Sequence, residues 1–211
     1  MGFLNNFSFP VLAEIIEDGE RIADDVCEAA YKLRDSDDNA KLLSRGWSEG
    51  KRAKSKEDYK EYGFTSHGRH QLLSDDRFHD IHNAIVKQAE QYSSAMQSNP
   101  RFHITNSWVS IYGDGHFVPE HIHTHAHLSC VFYAAATEGT GNIIFRNPAY
   151  AVYAMNYGHG DPYFCDKIEV QPKKGMLIIF PSFMPHLTKP HEADEDRIIL
   201  SSNMSFDNEH V

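Results

Sequence analysis

His121-Ile122-His123, a distant His186, and Arg197 eleven residues beyond it are the side chains of this chain whose types and spacing suit metal chemistry. Histidines two apart on an extended strand project to the same side, so His121 and His123 would present two imidazoles together. A third imidazole arriving from a distant strand completes one face of a coordination shell and leaves the remaining positions open to small ligands. Arg197 offers a planar guanidinium fork, the group that grips a carboxylate through two parallel hydrogen bonds.

His121 and His123 belong to a run in which five of the 14 histidines, His116, His121, His123, His125 and His127, fall within residues 116–127. Such a run suits metal binding, and it also suits a polar strand face or a loop. Strict alternation would align His121, His123, His125 and His127, although only two or three of them can serve one metal with good angles. The favoured ligand set is His121, His123 and His186, with His125 and His127 as neighbours of the metal or of a substrate. The segment from Gly175 to Pro185 is an apolar strand entered through glycine and stopped by proline, and it delivers His186 at the end of a turn. Pro181 and Pro185 fix the backbone there; the alternative role for His186 is a hydrogen-bonded structural histidine. For Arg197 the alternative is a surface arginine answering Glu192, Asp194, Glu195 and Asp196.

The elements that position these residues are legible as a change of period. Ile22, Val26, Ala30 and Leu33 mark an amphipathic helix within 19–33, and Phe78, Ile81, Ile85, Ala89, Tyr92 and Met96 mark a second, preceded by Asp75 and Asp76, whose carboxylates suit a helix start. Both helices read as scaffold. Residues 35–74 are polar, broken by glycines and anchored by Trp47, Tyr59, Tyr62 and Phe64, which predicts irregular structure and short strands at the mouth of a cavity. The basic run Lys51 to Lys56 is followed at once by Glu57 and Asp58 and reads as a solvated turn. From Ser107 onward the pattern predicts strands at 108–112, 117–123, 128–135, 142–146, 167–170, 176–180 and 197–206. Helices first and many short strands after predict a mainly β fold with flanking helices, a jelly-roll or cupin-like core. Residues 1–100 would pack as helices and irregular chain on a core formed by 101–211, the whole making one domain.

The 211 residues carry a net charge of -10, spread over both halves, and 41% hydrophobic residues, ordinary for a globular protein. No basic tract grips phosphates, so nucleic acid is not an expected partner. Cys27, Cys130 and Cys165 cannot all pair and show no CxxC spacing, which fits a reducing compartment. The first residues have neither a secretory leader nor a myristoylation pattern, and no long apolar run appears, so cytoplasmic residence without a membrane anchor is expected. No Rossmann glycine pattern, Walker loop or serine-nucleophile elbow competes with the metal reading.

Taken in order, Gly46-Trp47-Ser48, Trp108, His121-Ile122-His123, Leu128 to Tyr133, Gly141 to Pro148, Phe180-Pro181-Ser182 through His186, and Arg197 through Asn203 resemble the 2-oxoglutarate and Fe(II)-dependent oxygenases. More narrowly, they resemble a small bacterial and phage branch related to prolyl hydroxylases. The resemblance implies a double-stranded β-helix holding Fe(II) on His121, His123 and His186, with His123 standing where a carboxylate is usual. It implies 2-oxoglutarate and O2 as co-substrates, Arg197 on the far carboxylate, and hydroxylation of a substrate with release of succinate and carbon dioxide. Tyr112 and Tyr133, on strands flanking the first ligands, are candidates to reach the co-substrate with a hydroxyl. Ser201 and Asn203 join them, because 197, 199, 201 and 203 share one side of the last strand. Trp108 reads as packing; Asn106 and Asn142 receive no role. The expected substrate is a peptide or protein side chain, an amino acid or another small metabolite, and a homodimer is the usual prior for a small enzyme. Two other classes use the same histidines: a cupin-like metal enzyme without 2-oxoglutarate, and a non-catalytic jelly roll stabilised by a closed metal shell.

Overall fold

Alternation in the second half of the chain sorts its side chains onto the two faces of one sheet, and each face finds a different cover. A computed structural model describes residues 9–36, 41–43, 49–52, 63–68, 71–96, 101–150 and 165–207, with the backbone alone for 41–43 and 49–52. The described strands are β1 (Leu12–Ile15), β2 (Lys41–Leu43), β3 (Glu49–Arg52), β4 (Gly63–Thr65), β5 (Phe102–Tyr112), β6 (Leu128–Ala135), β7 (Ile143–Arg146), β8 (Lys167–Val170), β9 (Met176–Pro181), β10 (His186–Thr188) and β11 (Arg197–Phe206). Two helices, α1 (Gly19–Ser36) and α2 (His79–Ala95), fall where the apolar spacing predicts them. Eight strands form one sheet in the order β1-β9-β6-β11-β5-β4-β2-β3, and three form a second, β10-β7-β8, with every recorded strand pairing antiparallel. Mixed helix and sheet in this arrangement match the predicted jelly-roll class. Gly46-Trp47-Ser48, Tyr59, Tyr62 and most of the basic run lie outside the described residues.

Along β6, Leu128, Cys130, Phe132 and Ala134 turn to the helices, where Ala23, Val26, Ala30, Ile81, Ile85 and Ala89 cover them. The alternate residues Val131 and Tyr133 face the other way and pack with Ile143, Phe145, Ile178 and Phe180 between the two sheets. β11 follows the same rule: Ile198, Leu200 and Met204 join the helical side, leaving the opposite parity for the interior of the roll. The period of two therefore separates a packing face from a face available for chemistry. No helix among the described residues is long and apolar enough to cross a membrane.

The predicted strand at 117–123 is a correction. These residues form an irregular crossing with a single bridge, His121 to His186, in which each backbone N–H donates to the other's carbonyl at 3.0 Å. Gly113 and Gly115 open the segment, and Pro119 has no N–H to give a ladder. Strict alternation of the histidines fails with it: His125 sits at φ 65°, left-handed for a non-glycine residue.

α1 begins where the turn into β9 comes closest. Gly175 has φ 77°, and a Cβ there would stand 2.7 Å from the Gly19 carbonyl carbon. Gly175→Ala is expected to cost about 1–3 kcal/mol, from the left-handed backbone and the closed contact together. Urea unfolding checks this, and a loss below about 0.5 kcal/mol would show that the two segments separate freely.

Candidate metal centre

The crossing segment and the edge of the smaller sheet bring the three predicted histidines together. His121 leaves the bridge, His123 follows it, and His186 is the first residue of β10, set by the Pro181–Met184 turn. One ligand atom from each lies within 4.8 Å of the others, the kind of group that could hold a metal ion. The His121 and His123 Nε2 atoms are 3.2 Å apart, and the His121 and His186 ring centroids 4.2 Å apart.

The opposite ring nitrogens are occupied. His121 Nδ1 lies 2.9 Å from the Pro119 carbonyl and His186 Nδ1 2.9 Å from the Met184 carbonyl. A carbonyl only accepts, so both rings carry their proton on Nδ1 and turn the Nε2 lone pair to the shared centre. Burial favours the neutral form: it lowers His121, brings His123 down to about 4 and His186 to about 3. Neutral imidazole nitrogens converging on one point in this way suit a cation.

The histidines line a cavity of about 240 Å³, below the size that swallows drug-sized ligands. Tyr112, Tyr133, Ser201 and Asn203 line it as well, together with Trp108, Val118, Thr188 and Ile199. Arg197, at the start of β11, is 1% exposed, with its Cζ 4.5 Å from the centroid of the Tyr112 ring. It is not itself a lining residue of that cavity; it stands against the tyrosine wall. None of its three guanidinium nitrogens has a hydrogen-bond partner among the described residues. Of the acids that a surface arginine would have answered, Asp196 accepts a hydrogen bond from the Tyr31 hydroxyl at 2.9 Å, and Glu192, Asp194 and Glu195 are exposed while Arg197 is buried. Burial works against the Arg197 charge, yet a guanidinium keeps its proton. An unpaired buried cation is costly and calls for an anion.

His125 and His127 do not join the cluster. The His127 ring stacks on Phe206 at 4.5 Å between centroids, and its Nδ1 accepts the Phe206 N–H. Sequence reasoning missed Ser129 and Ser182, both fully buried beside His123, and His67, which lines the cavity with its ring 4.8 Å from that of Trp108. The Ser129 and Ser182 positions lay within the motif stretches, so the signal was present without a role attached.

A family model described as "Putative 2OG-Fe(II) oxygenase" matches residues 106–203. No curated protein matches the chain. Among solved structures, the alpha ketoglutarate dependent epimerase SnoN from nogalamycin biosynthesis is similar at TM-score 0.63, 11% identical, over 93% of this chain and 76% of that one. A Pseudomonas putida prolyl-4-hydroxylase is similar at TM-score 0.55, 14% identical, over 94% and 93%. A Trichoplax adhaerens prolyl hydroxylase, solved with a hypoxia inducible factor peptide, is similar at TM-score 0.57, 14% identical, over 97% and 86%. At such identities the likeness concerns the fold.

Proposed function

We propose that this chain, whose residues 106–203 match a 2OG-Fe(II) oxygenase family model and whose fold is similar to such enzymes, is an Fe(II)- and 2-oxoglutarate-dependent dioxygenase that hydroxylates a peptidyl or amino-acid side chain. The observation that carries this reading is the buried Arg197 guanidinium, without a hydrogen-bond partner among the described residues, beside a cavity lined by three converging imidazoles. The donor set fits a divalent metal of intermediate softness, and the orphaned cation fits a dicarboxylate's far end. A closed structural metal site would leave Arg197 without a purpose.

His121, His123 and His186 would hold the iron through Nε2. Bound iron and 2-oxoglutarate supply oxygen activation coupled to decarboxylation, giving succinate and carbon dioxide. Arg197 would orient the co-substrate by pairing its distal carboxylate, and the hydroxyls of Tyr112 and Tyr133, which line the cavity, would donate to it. Burial raises both phenols, so they stay protonated donors. Val131, Ile143, Phe180 and Ile199 exclude water from the same wall. His67, Asn106, Trp108 and Thr124 remain for the substrate. The prolyl hydroxylases of similar fold support a side-chain substrate. We take residues 1–211 as one catalytic unit working in the cytoplasm, in keeping with three unpaired cysteines; a small-molecule co-substrate is its defining partner, nucleic acid and membrane have no part, and a homodimer is the expected assembly.

Thermal unfolding with redox-silent Mn(II) tests this reading. Mn(II) raises the midpoint, and 2-oxoglutarate at 100 times its Kd adds about 2.7 kcal/mol, roughly 5–10 °C for a chain of this length. A chelator removes both increments. Equal stabilisation by 2-oxoglutarate with and without metal would sink the proposed chelate.

A further inference from the structure

We propose that Asn203 is a positioning residue that makes His123 a metal ligand, acting with Ser129 and Ser182; this rests on the metal centre proposed above. His121 and His186 each bond a backbone carbonyl two residues earlier, Pro119 and Met184, so their local turns set their donor atoms. His123 has no such bond. Its Nδ1 meets the Asn203 side-chain oxygen, brought by β11, and lies 3.1 Å from the Ser129 hydroxyl on β6. Ser129 Oγ is 2.8 Å from the same Asn203 oxygen and 2.8 Å from Ser182 Oγ.

One proton position distinguishes a working ligand from an idle one. With the Asn203 oxygen on Nδ1, His123 carries its proton there and presents a lone pair at Nε2. With the amide reversed, Nδ1 accepts from the amide nitrogen, and the proton moves to Nε2, where it would point at His121 Nε2, 3.2 Å away. That N–H···N bond satisfies both rings and removes the third donor. The serine pair completes the first arrangement. With the Asn203 oxygen at Nδ1, both Ser129 and His123 Nδ1–H donate to it, and the Ser182 hydroxyl, 2.8 Å from Ser129 Oγ, donates to Ser129. Ser129 and Ser182 are fully buried and Asn203 is 7% exposed, so water offers little substitute. A neutral asparagine also leaves the three-imidazole site without an anionic neighbour at His123, where an aspartate would raise ligand basicity.

The test reads the tautomer of His123 by NMR of ¹⁵N-histidine-labelled, chelator-treated protein, and Co(II) affinity by calorimetry. Wild type shows the proton on Nδ1. Asn203→Leu keeps the volume and removes the amide oxygen; Ser129, its own acceptor lost, turns its hydroxyl to donate to His123 Nδ1, 3.1 Å away, so the His123 proton moves to Nε2, and the Co(II) Kd rises roughly 10- to 100-fold. Asn203→Asp keeps an acceptor and the Nδ1–H tautomer, and binds Co(II) at least as tightly as wild type. A merely structural role would lower the apoprotein's melting temperature in both variants without this split. An Nε2–H tautomer in wild type, or wild-type Co(II) affinity in Asn203→Leu, overturns the proposal. Should Asn203→Leu not fold, the wild-type tautomer decides alone, with Ser129→Ala expected to populate the Nε2–H form. Absence of Co(II) binding to wild type would count against the metal centre, while the tautomer would still decide the role of Asn203.

Discussion

Arg197→Met is expected to abolish useful 2-oxoglutarate binding while leaving the apoprotein as stable as wild type or more so. Truncating one partner of a buried, hydrogen-bonded charge pair costs about 2–5 kcal/mol of binding, a loss of roughly 30- to 3,000-fold in affinity. The same change removes a fully buried cation that has no hydrogen-bond partner among the described residues. Methionine is apolar and flexible enough to fill the stem's space against Tyr112, so the fold sheds a desolvation penalty and keeps its packing. Loss of binding with a retained or raised melting temperature separates a site residue from a core residue. Calorimetry on Mn(II)-loaded protein and urea unfolding of the apoprotein measure the two halves. Destabilisation by more than about 2 kcal/mol would mean that Arg197 serves the fold.

His186→Ala gives the second large effect, in the metal itself. His186 is 5% exposed and rings with Phe145 and Phe180 at centroid distances of 5.9 and 4.7 Å, so its truncation opens a hole as well as removing a donor. A stability loss of roughly 1–3 kcal/mol is expected for the apoprotein. Metal affinity should fall by more than the 10- to 100-fold that loss of an outer partner brings, because a direct donor is gone. Co(II) calorimetry on protein whose circular dichroism matches wild type checks it. Affinity within tenfold of wild type would place the metal elsewhere.

What the sequence made legible follows the strength of each local signal. The two helices stand out because Ile22, Val26, Ala30 and Leu33, and then Ile81, Ile85 and Ala89, keep a helical period and bury on one side. The last strand was legible for the same reason at a period of two: Ile199, Ser201 and Asn203 share the cavity, as their parity predicts. The strand at 117–123 was not, since alternating histidines mimic a strand face while Pro119 denies the ladder a donor. That same irregularity lets His123 swing beside His186 and sends His127 to Phe206. The short strand at 186–188 escaped notice because three residues carry no period; its pairing with β7 is a tertiary fact. The convergence of Ser129, Ser182 and Asn203 on one imidazole could not be seen either, because it depends on the register of β6 with β11, Asn203 opposite Ser129, and on a turn from a third segment. Burial of Arg197 lay beyond sequence for a further reason: four nearby acids offered a surface alternative that only the packed strand excludes.

The most direct measurement is an anaerobic titration of Fe(II)-loaded protein with 2-oxoglutarate, following visible metal-to-ligand charge-transfer absorption in wild type and Arg197→Met side by side. A saturable band in wild type, displaced to much higher 2-oxoglutarate concentrations in the variant, is the predicted result, since it needs open metal positions and the guanidinium together. Folded wild type with its iron content verified, yet giving no band and no calorimetric binding, would contradict the oxygenase assignment and leave the three histidines to a metal protein of another kind.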